Sequence, residues 1–147
     1  MNNLYLLLGL VAGAGVAAQA VINARLRLLL GSPLWAAATQ FLVGLAVVLL
    51  VALATRQPAP VTDGLARAPW WLWTGGLFGA SFIVVSIVLT PRLGAGLMIA
   101  SAIVGQLSAA LLIDHYGWFG ATVIRMSPVR VLGASLLVLG VALIRSP

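Results

Sequence analysis

The stretch LWAAATQFLVGLAVVLLVALA, residues 34–54, contains no charged side chain. About 20 mostly apolar residues in a helix cross the ~30 Å hydrocarbon core of a bilayer. This run therefore reads as a membrane span, and the rest of the chain repeats it. Comparable runs occupy residues 4–22, 72–89, 97–113 and 128–144. The last begins with Pro128 and uses the stem of Arg130 to complete its length.

Composition agrees. Of 147 residues, eight are basic and two acidic, hydrophobic residues make up 63%, and mean hydropathy is +1.17. A soluble domain carries about a quarter charged residues; here the share is 7%. The expectation is an all-α integral membrane protein with five transmembrane helices, a single domain over residues 1–147 without an extramembrane catalytic module. The first run lacks the basic n-region and small-residue cleavage site of a signal peptide, and reads as a retained helix.

The chemistry left to the chain is narrow. There is no cysteine, and the only histidine and acids are His115, Asp63 and Asp114. No nucleophile–base pairing, phosphate-binding loop or metal-ligand spacing is present. The expectation is a non-enzyme with no cofactor and no metal. The basic residues are all arginines, scattered at helix ends where headgroups lie, so the pI of about 11.8 does not point to nucleic acid. No charged filter ring or carbonyl-lined signature loop suggests an ion channel.

Arginine placement bears on orientation, because cytoplasmic loops collect positive charge. Five spans put Arg56, Arg67, Arg125 and Arg130 on one face of the membrane and Arg25, Arg27, Arg92 and Arg145 on the other. The faces balance. A chain without bias is expected to insert both ways and to pair antiparallel with itself, unless an unrecognised loop effect breaks the tie.

Polar and small residues mark the candidate site. Gly9, Gly13 and Ala17 lie four apart, the spacing that lets helix backbones approach closely. Gly15, Gln19 and Asn23 form a second stripe. Two amides on one stripe are costly in lipid unless they face protein or water. They line a substrate path or act as interhelical glue, and the shared stripe favours the path. Gln106 beside Gly105, with Ser101 and Ser108 nearby, has the same two readings, although serine often bonds its own i−4 carbonyl. Arg25 either draws an anion toward the path or snorkels to headgroups.

Asp114 and His115 are candidate proton-coupling groups, or else a polar turn in which Asp114 pairs with a loop arginine such as Arg125. Trp70, Trp71 and Trp73 read as an interfacial belt. Ser32-Pro33 and Ser127-Pro128 read as an N-cap followed by proline at the first helical position. Pro69 is expected to open the third helix and Pro91 to end it, with Gly94 and Gly96 in a tight turn. Gly133 and Gly140, seven apart, put two small residues on one helix face.

Gly105-Gln106-Leu107 with Ile113-Asp114-His115-Tyr116-Gly117 resembles the YdcZ-type branch of the drug/metabolite transporter superfamily. Gln19…Asn23-Ala24, Trp73-Thr74-Gly75-Gly76 with Gly79, Pro91…Leu93-Gly94-Ala95, Arg130…Gly133 and Gly140-Val141 extend the likeness along the chain. The resemblance implies a half-unit of the ten-helix inverted-repeat transporters in a bacterial inner membrane. It also implies occurrence as single dual-topology genes, opposed pairs or fusions.

The Gly133–Gly140 spacing is similar to the dimerisation helix of small multidrug resistance proteins and implies a similar contact. Those relatives carry a glutamate midway along the first helix. This chain has no glutamate, so proton-coupled cation export by that route is not carried over. The expected function is a small antiparallel-homodimeric transporter of a small neutral or anionic metabolite. The alternative is a non-transporting scaffold or subunit of a larger complex.

Overall fold

A computed structural model describes residues 3–59 and 67–145; Asp63, with the centre of the second loop, lies outside the described residues. Among the described residues there are five α-helices: α1 Asn3–Leu30, α2 Pro33–Ala54, α3 Thr74–Leu93, α4 Ala95–Tyr116 and α5 Pro128–Arg145. Each is long and apolar enough to cross a membrane, counting the turn before α3 with that helix. The protein is all-helical and built for a bilayer.

The helix ends follow local chemistry. Ser32 is extended (φ −147°), and its hydroxyl accepts from the N–H groups of Leu34 and Trp35, with Pro33 next in the first turn. Ser127 does the same for α5, accepting from Arg130 N at 3.3 Å. Both caps satisfy donors that a helix start leaves without partners.

Other ends differ from expectation. α1 runs on past residue 22 to Leu30, where Gly31 takes a left-handed φ of +67°. At 1.5 Å per residue its 28 residues extend about 42 Å, longer than the hydrocarbon core. Hydropathy falls at Asn23 and Arg25, but helical hydrogen bonding does not.

Pro69 opens a 3-10 turn over Trp70–Trp73 rather than α3 itself, which starts at Thr74. Pro91 does not end α3; it lies inside the helix. Its missing N–H leaves only the Ile87 carbonyl without a helical donor, and the chain breaks three residues later at Gly94, φ +78°. That one glycine makes the break, and Gly96 already belongs to α4.

Two compact units are seen, Met1–Arg92 and Leu93–Pro147. In the first, α1 and α2 form an antiparallel hairpin and α3 packs on it through Ile87. Ile87 is fully buried against Ala36 and Ala37, with Leu26, Ile83 and Val84 around them. Packing is confined to one end of this unit: Ala20, Asn23 and Ala24 of α1, the two alanines of α2, and Ser86, Ile87 and Thr90 of α3. Residues 3–16, 41–51 and 75–79 are all exposed. In the second unit α4 packs along α5, and α5 buries no residue at all.

Candidate substrate path and helix interface

The first unit places Asn23 in its packed end. Asn23 is buried, and its Nδ2 donates to Oε1 of Gln40 across the α1–α2 hairpin. The pairing has a simple cause. Asn23 and Gln40 are equally far along the chain from the break between residues 31 and 32, so the hairpin returns them to the same depth. Glutamine was visible there as the one amide of the second span, but the symmetry about the turn is what identifies it as a partner.

Gln19, one turn before Asn23, is half-buried, and Arg25 is exposed beyond it. Thr90 is buried in the same unit, and its hydroxyl has no hydrogen-bond partner among the described residues.

The Asn23–Gln40 bond gives a stability prediction. Asn23→Leu should lower stability by about 1–2 kcal/mol, because Gln40 then keeps a half-buried amide without its partner. Adding Gln40→Leu should recover part of that loss. Unfolding in mixed micelles over the four-variant cycle measures it; additive losses would count against the bond.

The second unit holds the remaining candidates. Ser101, Gly105 and Gln106 are exposed on α4. The Ser101 hydroxyl donates to the Leu97 carbonyl at 2.8 Å, tying it to its own helix. Asp114, at the end of α4, faces Arg130 in the first turn of α5, with Oδ2 3.5 Å from a guanidinium nitrogen. Arg125 does not take this place. It lies in the extended link 121–127, whereas the Ser127 cap turns Arg130 back toward α4. Both partners are about one-third exposed, at 35% and 36%, so the pair adds little stability, on the order of 0–1 kcal/mol.

His115 is engaged locally. Its Nδ1 accepts from Met126 N at 3.0 Å, and Ile124 N donates to the Asp114 carbonyl at 2.8 Å. The link between α4 and α5 is therefore bound back onto the end of α4. Gly117 makes this possible with φ +65°; a Cβ there would sit 2.7 Å from Val123 Cγ2. The His115 and Tyr116 rings meet edge-on at 4.8 Å, and Tyr116 stacks on Trp118 at 5.3 Å. Exposed Tyr116, Trp118 and Phe119 put an aromatic belt at this end.

The glycine stripes face open space within one copy. A Cβ added at Gly9, Gly13, Gly75, Gly79, Gly133 or Gly140 would meet nothing within 4 Å. Gly133 and Gly140 edge two shallow grooves along the α4–α5 pair, of about 390 and 150 Å³. Leu137 is common to both, so the two grooves follow one side of α5.

A family model described as "Putative inner membrane exporter, YdcZ" matches residues 4–143, a stretch that reaches into all five helices. No match was found among curated proteins or among solved structures.

Proposed function

The chain belongs to the YdcZ-type inner membrane exporters, and on that premise we propose that two oppositely inserted copies form the working transporter. The protein is a multi-pass transporter of the inner membrane. What supports the antiparallel pair is α5. It is an 18-residue membrane helix with no buried residue, and a Cβ added at its Gly133 or Gly140 would meet nothing within 4 Å in one copy. A helix from a second copy fits such a face, since small residues let backbones come close. The balanced arginines supply both orientations.

Two copies related by an axis in the membrane plane reproduce the inverted repeats of larger transporters, whose substrate sites lie near the midplane. On this reading Gln19 and Asn23 of the first unit, and Gln106, Ser101 and Gly105 of the second, are the substrate-path residues of each copy, and Arg25 draws an anion toward the first pair. Asp114 and His115 stand ready for coupling at the α4 end. Inward-open and outward-open states become nearly equal in energy, because exchanging the two copies' conformations converts one into the other. An amide- and hydroxyl-lined path without a buried acid suits a small neutral or anionic metabolite.

The chain contains no cysteine, so introduced ones report cleanly. Val129, Leu136 and Leu143 are seven apart on one exposed stripe beside the two glycines. In an antiparallel pair the axis passes between Gly133 and Gly140. Leu136→Cys should then cross-link to its own copy in membranes. Val129→Cys and Leu143→Cys should cross-link only when mixed with each other. A parallel pair would cross-link at all three positions, and that pattern would remove the proposal.

A further inference from the structure

The groove beneath the Asp114–Arg130 pair has the makings of a ligand site in its own right. At about 390 Å³ it falls in the size range of small-molecule pockets. Its walls are apolar, from Leu107, Leu111 and Leu137, Gly133 keeps it open, and Asp114 and Arg130 supply its charge.

That charge is poorly matched. The 3.5 Å separation is longer than the ~2.7–2.9 Å of a charge-assisted hydrogen bond. The same guanidinium nitrogen is covered by protein and has no hydrogen-bond partner among the described residues. A guanidinium has five donors and no acceptor, and a carboxylate or phosphate takes two of them at once. Asp114 satisfies none of them by hydrogen-bond geometry.

We propose that the Arg130 end of this groove binds an amphiphilic anion, a carboxylate or phosphate on an apolar body, and that Asp114 competes with it for the guanidinium. The apolar body lies along the leucines, and the anionic group displaces Asp114 from Arg130. The neighbouring Tyr116–Trp118 belt places this mouth where both lipid headgroups and dissolved solutes reach it. The site rests on the geometry of the second unit alone. Binding is read at equilibrium, so a protein that binds and moves nothing would lose the transport reading and keep this one.

The test uses the full chain in phosphatidylcholine nanodiscs. Octanoate is titrated in one arm, and phosphatidylglycerol is mixed into the lipid in the other; thermal stabilisation is the readout. Arg130→Gln should weaken binding at least about tenfold, the scale of one lost charge-assisted hydrogen bond. Asp114→Asn should strengthen it by a similar factor. Arg130→Lys should fall between, since it keeps the charge without the fork, and it serves if Arg130→Gln fails to fold.

A response to octanoate identifies a soluble ligand as a source. A response to phosphatidylglycerol alone identifies a lipid headgroup. The proposal is overturned if no variant at Arg130 changes either response. It is overturned equally if Asp114→Asn weakens binding as Arg130→Gln does, because a structural ion pair would make both changes act in the same direction.

Discussion

Two variants of opposite charge bias should each be inactive alone and active together. Arg27 and Arg92 lie in the last turns of α1 and α3, which five alternating spans assign to one face of the membrane. Arg56 follows α2 and Arg125 lies in the link before α5, which the same alternation assigns to the other face. Replacing Arg27 and Arg92 by alanine leaves two arginines against four, which should hold the more basic face in the cytoplasm and put the C-terminus outside. Replacing Arg56 and Arg125 should do the reverse. Neither pair touches the proposed path or the Asp114–Arg130 groove.

A C-terminal reporter active on one side only should give signal on both sides for the native chain and on a single side for each variant. Export should fall by more than about tenfold in either variant alone and return on co-expression. The expected loss follows from assembly: a population pointing one way cannot make an antiparallel pair. Activity of one biased variant by itself would show that opposed insertion is not required.

Gln106→Leu should abolish export while leaving the pair assembled. The substitution keeps bulk and removes an amide from the middle of α4, where a polar group is costly unless it faces water, a solute or a partner. Gln106 is exposed within one copy, so its role is not in packing that copy together. Ser101 already spends its proton on its own helix, which leaves Gln106 as the hydrogen-bonding group of this helix best able to meet a substrate.

The assay is efflux from proteoliposomes of a metabolite first found by its stabilisation of the purified protein. The Leu136→Cys cross-link in the same background reports assembly. Undiminished efflux would take Gln106 out of the site. A native protein that binds a fixed partner and moves no solute would favour the scaffold reading.

The fold was legible because lipid is an unforgiving solvent. Four uncharged runs and a fifth whose one charge is Arg130 allow few other readings, and Ser32-Pro33 and Ser127-Pro128 state their caps in two letters each. Ends set by hydrogen bonding were harder to read. Hydropathy drops at Asn23, yet α1 continues to Leu30 until a glycine can turn left-handed. Pro91 looked like a stop, but only one carbonyl loses its donor so close to the end of a helix.

Partners were harder still. The Asn23–Gln40 bond depends on which helices adjoin and at what depth. It becomes readable only when the break between residues 31 and 32 is known to be that short. Asp114 had several arginines within plausible reach. Arg130 was chosen by the fold of the link between α4 and α5, which Gly117 and the His115–Met126 bond set. Sequence states what a side chain needs and leaves open which neighbour supplies it.

A helix with no fully buried residue within its own copy has a consequence for dosage. On the proposed pairing, the complex that covers α5 forms by collision of two molecules in the plane of the membrane. While copies are scarce, the assembled fraction grows with abundance, so the number of complete complexes rises about as the square of expression. A cell that halves its supply of this protein keeps roughly a quarter of them.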